Sequence, residues 1–194
     1  GLAFSEAAFL GDVGLSIPAG ETGRSVLEMI WTRPTCEING MSGGYTGSGF
    51  KTVIPSQAAA KVSLRLVAGQ DPQRLRDALR AFVRARMPPD CSVRFVPHGG
   101  SPAVAVPFDS PFLTVGRAGL TQEWGKPAVR IAGGGSIPVV GYLKDVLGMD
   151  SLLIGFGLDD DQIHSPNEKY DLASFHKGTR AWARILVGMG EMAR

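Results

Sequence analysis

The stretch from Gly133 to Asp171 constrains this chain most, because glycine and proline punctuate it so closely that few backbone paths fit. It opens with the loop GGGSIP (Gly133 to Pro138) and closes with IHSPNEKYD (Ile163 to Asp171). The glycine-rich turn into Ser136, Ile137 and Pro138 predicts a helix start. Ser136 is a good N-cap, and proline is tolerated in the first turn because its missing N–H would have no partner there. Such a start aims free N–H groups and partial positive charge outward, which suits a carboxylate or phosphate. The apolar run SLLIGFG (Ser151 to Gly157) reads as a strand, and the acidic turn LDDDQ after it reads as solvated rather than as a cation site. His164 follows, where a side chain is presented at the carboxyl end of a sheet. An anion cradle and a histidine after a strand make a candidate site.

The remainder supplies the scaffold. LAFSEAAFLGDVG and ETGRSVLEMIW each predict a short helix, and Pro34 then turns the chain β-like. Cys36 to Gly40 alternates apolar and polar residues, Met41 to Gly49 is a glycine-rich loop, and FKTVIP resumes an extended run. In AKVSLRLV, Val62, Leu64 and Leu66 face one way and Lys61, Ser63 and Arg65 the other, the period of a half-buried strand. Asp71 and Pro72 start a helix whose apolar stripe is Leu75, Leu79, Phe82 and Val83. Arg74, Arg76, Arg80, Arg84 and Arg86 form its solvated face; Met87-Pro88-Pro89 stops it, and CSVRFVPH predicts another strand.

Glycine and proline breaks in Val96 to Pro111 mark the expected domain boundary, giving regions 1–100 and 101–194. The first fits an α+β sandwich, a ferredoxin-like unit lacking its leading strand and helix. The second alternates helix (Phe112 to Trp124), strand (Ala128 to Ile131), helix (Ser136 to Leu147), strand (Ser151 to Phe156) and helix (Leu172 to Val187), an α/β rhythm. The last helix starts at Asp171 and places Leu172, Phe175, Thr179, Trp182 and Leu186 along one side.

Composition excludes several function classes. With 44% hydrophobic and 20% charged residues, the chain has the make-up of a soluble globular protein. A net charge of +2, with dispersed basic residues, gives no footprint for nucleic acid. Nothing approaches the roughly 18 apolar residues of a membrane span, and the start carries no secretory signal pattern. Cys36 and Cys91 have neither a disulfide framework nor metal-type spacing. They are expected to be reduced, buried thiols, with the cytoplasm as compartment. The first residue is glycine, as in a piece of something longer.

Four blocks in one order, Arg33 to Pro55 (RPTCEINGMSGGYTGSGFKTVIP), Lys61 to Val67 (KVSLRLV), GGSIP and HSPNEKYD, resemble the M20 metallopeptidases, nearest the carnosinase-like dipeptidases. The resemblance runs along nearly the whole chain. It implies most of a lid, or dimerisation, domain followed by the closing part of a catalytic domain. It implies two divalent metals, zinc first, with manganese or cobalt as alternatives, that activate a bridging water and polarise the scissile carbonyl. His164 becomes a metal ligand, with Asn167 and Glu168 supporting it from behind. Gly135 and Ser136 hold the substrate's C-terminal carboxylate, although Gly133 stands where the family often has an acidic residue. Arg65 becomes a carboxylate partner, a task suited to a planar guanidinium. Thr52 reaches substrate across a homodimer interface.

The family's remaining ligands, a His-x-Asp and a Glu-Glu pair, do not occur in this sequence. One imidazole cannot hold zinc, which takes about three protein ligands plus water in catalytic sites and about four in structural ones. The expected function is therefore part of a dipeptide-hydrolysing enzyme, inactive by itself and retaining no metal. A non-catalytic dimerisation and interaction module is the alternative. A nucleotide binder is weaker, because GGGS lacks the Lys and Ser/Thr of a P-loop.

Overall fold

The computed structural model describes residues 4–133 and 137–192. The chain divides into two compact units, one made of Ala3–Val104 and Ala132–Gly141, the other of Ala105–Ile131 and Tyr142 onward.

The first unit begins with two short helices, α1 (Glu6–Asp12) and α2 (Val26–Thr32), each entered through a serine. Ser25 builds a capping box, in which its hydroxyl accepts from the Glu28 N–H while the Glu28 carboxylate accepts from the Ser25 N–H. Strands β1 (Thr35–Gly43) and β2 (Ala58–Arg65) pair antiparallel from Thr35 opposite Arg65 to Gly43 opposite Ala58. The register is irregular between Ile38 and Gly40, leaving Asn39 as an extra residue in β1. β1 runs past the expected Gly40 into the glycine-rich segment. A Cβ at Gly43 would sit 3.1 Å from that of Ala58, so bare glycine lets the ladder close there.

The alternation in β2 places Lys61, Ser63 and Arg65 on one face with Thr35 and Glu37 of β1. On that face Asn39 donates to Ser63 Oγ at 2.8 Å, and both Ser63 and Thr35 donate to the Glu37 carboxylate. The opposite face is less covered than the pattern predicts, with Val62 and Ile38 exposed. Helix α3 (Pro72–Arg84) follows, its Arg74 N–H donating to the Asp71 cap at 2.6 Å. Leu75, Leu79 and Val83 are half-buried, but Phe82 points outward under the Arg86 guanidinium, 3.5 Å from its ring centroid. Arg80 and Arg84 are not merely solvated, since both lie over the Phe95 ring.

In the second unit α4 (Pro111–Trp124) packs on α6 (Leu172–Met192), and α5 (Pro138–Leu147) leads into this unit from the first. The seam is lined by small residues. A Cβ at Gly119 would lie 2.7 Å from Ile185 Cγ1, and one at Gly188 would lie 2.8 Å from Val115 Cγ1. The buried stripe of α6 is accordingly Ser174, Gly178, Ala181 and Ile185. The expected stripe of Leu172, Phe175, Thr179, Trp182 and Leu186 is exposed. Close approach of two helix backbones selects the small face, whatever the hydropathy of the large one.

Three expected strands, Cys91 to His98, Ala128 to Ile131 and Ser151 to Phe156, carry no ladder among the described residues. Apolar runs favour extended backbone, but a strand exists only where a neighbour accepts and donates the hydrogen bonds. Ser151–Phe156 packs on helices instead. Leu152 fills the space a side chain at Gly116 would need, and Phe156 stacks on Trp124 at 5.3 Å and covers Gly178. Cys36 and Cys91 are both exposed free thiols rather than buried ones, because neither lies under a second layer.

Gly119→Ala should lower unfolding stability by about 1 kcal/mol, overpacking against the fully buried Ile185 outweighing the helix gain of about 1 kcal/mol. Gly190→Ala, with nothing within 4 Å, should leave stability unchanged or raise it by up to about 1 kcal/mol. Urea unfolding of both variants reads the two signs.

Candidate functional site

The segment between Gly157 and Asp171 places the candidate histidine. A 3₁₀ turn, Asp159–Asp161, reverses the chain after Leu158. Asp161 is 1% exposed, so it is not part of a solvated acidic turn. Its carboxylate accepts from the Leu158 N–H at 2.7 Å and from Lys169 Nζ at 2.8 Å, and its carbonyl accepts from the Lys169 N–H at 3.0 Å. Asp160 is the solvated member, its exposed carboxylate 3.0 Å from the same ammonium. A buried charge persists only when paired and hydrogen-bonded, and here the two contacts with Lys169 join the two ends of one loop.

Inside that loop Gln162, His164 and Asn167 have φ values of 53°, 66° and 63°. Each left-handed non-glycine residue costs on the order of 1 kcal/mol. The Ser165 N–H and hydroxyl both donate to the Gln162 carbonyl, at 3.0 and 2.9 Å, which tightens the turn around His164. His164, Asn167 and Glu168 are all exposed. Glu168 also lines a cleft of about 480 Å³ with Gly157, Asp161, Ile163, Lys169 and Tyr170. Asp171 then caps α6, accepting from the Ser174 N–H at 2.8 Å.

The hydrogen bond from the Lys169 ammonium, reinforced by the Leu158 N–H, holds the Asp161 carboxyl below the usual carboxylate range against the opposing effect of burial. The same bond, with a second to Asp160, raises the Lys169 ammonium above its ordinary value.

The other expected site residues lie in the first unit. Arg65 ends β2, exposed and opposite Thr35. Thr52 sits in the exposed β1–β2 loop, within a tight turn in which the Val53 N–H donates to the Lys51 carbonyl at 2.9 Å. It is not in a strand, and its neighbours Phe50, Val53 and Ile54 are exposed apolar residues. Gly135 and Ser136 lie outside the described residues. The loop carries His164, Asn167 and Glu168 within one five-residue stretch, whereas Arg65 lies at the Thr35 end of the hairpin ladder and the loop of Thr52 joins its opposite, Gly43–Ala58 end.

Residues 9–91 match the M20 peptidase dimerisation domain. Over 174 residues the chain is 31% identical to the Cys-Gly metallodipeptidase of Candida albicans, covering 87% of this chain and 35% of that protein. It is 27% identical over 176 residues to the human Beta-Ala-His dipeptidase, covering 89% of this chain and 34% of that one. Its homologues are metallodipeptidases of the M20 family. An M20 metallo-carboxypeptidase from Sulfolobus solfataricus shares the fold, with a TM-score of 0.81 at 25% identity over 94% of this chain and 42% of that one. The chain spans about a third of the length of the curated relatives it matches.

M20 metallopeptidase homologues imply divalent-metal dependence. Among the described residues no three His, Cys, Asp or Glu side chains gather as ligands would. His98 and His176 are exposed, and His176 packs edge-on against Phe175 within α6.

Because folding lowers the Asp161 value, its contribution is complete above the unfolded carboxylate value near 3.9 and is lost as pH falls through the folded one. Hydrogen-exchange protection at the Ser165 and Lys169 amides should therefore be flat from pH 7 to 5. It should fall only below about pH 4, when Asp161 takes up a proton.

Proposed function

We propose that this chain is the part of an M20-type dipeptidase that supplies the dimerising lid and one metal-binding imidazole, His164. The lid corresponds to residues 1–100 and the closing part of the catalytic domain to residues 101–194. The observation that carries the reading is His164 itself, exposed and in a left-handed turn, in a chain whose relatives are dipeptidases. An imidazole with this presentation suits coordination from outside the loop, and ligands beyond it would come from the rest of the longer protein. Zinc is the favoured metal, since its catalytic sites are built from imidazole with carboxylate ligands. Asn167 and Glu168, flanking the imidazole, would orient it.

Arg65, Gly135 and Ser136 would bind the carboxylate of a dipeptide. Thr52 would serve a site other than that of its own Arg65, since the two lie at opposite ends of the hairpin. A substrate contact supplied by the partner copy of a homodimer meets that constraint, and the exposed Phe50, Val53 and Ile54 around Thr52 suit a surface covered by a second copy. Cytoplasmic residence agrees with two free thiols. No helix among the described residues is long and apolar enough to cross a membrane.

The His-x-Asp and Glu-Glu motifs missing from this sequence favour a second reading for the chain on its own, a dimerisation module without turnover. A chimera distinguishes the two. With this chain in place of the stretch it matches in the Candida albicans enzyme, the product should hydrolyse Cys-Gly in the presence of zinc. His164→Ala should lower kcat by at least 1000-fold with the dimer intact by sedimentation. Wild-type turnover in that variant would remove His164 from the mechanism.

A further inference from the structure

The most unusual local chemistry in the second unit is the Asp161–Lys169 pair, which the dipeptidase reading leaves unused. A carboxylate that is 1% exposed lies three residues before the candidate ligand, and its ammonium partner lies five residues after it. Nothing about a surface turn demands a buried charge, and an apolar side chain would fill the same space. What the pair adds is direction. One Asp161 oxygen takes the Leu158 N–H at 2.7 Å, the other takes Lys169 Nζ at 2.8 Å, and the Asp161 carbonyl takes the Lys169 N–H at 3.0 Å. These bonds fix the approach to the loop, its closure and its exit from a single residue. The residues enclosed include all three left-handed non-glycine positions among the described residues, Gln162, His164 and Asn167. Such conformations persist only where the surroundings over-determine them.

We propose that Asp161 and Lys169 are positioning residues for His164, their ion pair closing the loop so that the imidazole is held in one orientation before any ligand arrives. The inference rests on the reading of His164 as the functional side chain. Holding the ring in advance spares a binding site the cost of ordering it later. The arrangement also explains why only one of three consecutive aspartates is buried. Asp161 alone stands where its carboxylate reaches both the Leu158 N–H and the Lys169 ammonium.

The test uses the full chain carrying Asp161→Asn, Lys169→Met or Lys169→Arg, with nuclear magnetic resonance as the readout. Order of the His164 ring and hydrogen exchange at the Ser165 and Lys169 amides report the loop, while exchange at the Ile185 amide reports the fold. Asp161→Asn and Lys169→Met should speed exchange at both loop amides at least 10-fold and free the His164 ring, with Ile185 unchanged. Lys169→Arg should restore ring order close to the wild type. A ring as ordered in Asp161→Asn and Lys169→Met as in the wild type overturns the proposal. If Asp161→Asn also loosens Ile185, Lys169→Met decides, because its ammonium leaves from a half-exposed side chain. Equal acceleration at Ile185 and Ser165 in Lys169→Met overturns the proposal too, since the pair would then hold the fold and not the loop. Failure of the underlying reading looks different: the ring is freed as expected, yet His164→Ala in the chimera keeps its turnover.

Discussion

The close approach of α4 and α6 is the constraint on which the second unit depends. Gly119 and Gly188 leave room for Ile185 and Val115, and a side chain at either position would collide. A seam this tight fixes which face of α6 is buried. It also fixes where Phe156 can sit, stacked on Trp124 and covering Gly178. Glu123, its side chain 6% exposed, is clamped from α6 by Arg180 and Arg184, whose hydrogen bonds, that of Arg180 first, hold the carboxyl below its usual value. The loop that carries His164 starts just past Phe156 and ends at the Asp171 cap of α6. Both of its ends are therefore anchored on the helix pair, and the Asp161–Lys169 bridge has only the span between them to organise.

The first unit works by different means. Its two-stranded ladder has a polar face bonded through Glu37, Ser63 and Asn39, and an apolar face that stays open. Two strands bury little on their own, so such a hairpin gains stability from what packs on it. Exposed apolar residues around Thr52 and along the sheet have the same physical meaning, and the M20 dimerisation-domain match gives them a context.

Much of the local structure was legible in the sequence. Capping aspartates located helix starts at Asp71 and Asp171, since a cap is an interaction between residues two or three apart. The period of two in Lys61 to Arg65 gave the facing of β2 correctly. The four motif blocks pointed to the family that the relatives share. What failed were particular inferences that needed a distant partner: the three expected strands that carry no ladder among the described residues, the buried thiols and the apolar stripe of α6. Asp161 was missed for the same reason. Its only signal was an acidic residue and a lysine bracketing the histidine, which does not tell three adjacent carboxylates apart.

The sequence by itself determined the helix starts at Asp71 and Asp171, the turn-rich loop around His164 and the chemical types available there, because these follow from interactions within a few residues. Only the tertiary structure decided which carboxylate is buried, which face of the last helix is covered and which apolar runs find hydrogen-bonding neighbours. Burial and pairing are properties of two segments brought together, and one-dimensional order does not contain the distance between them.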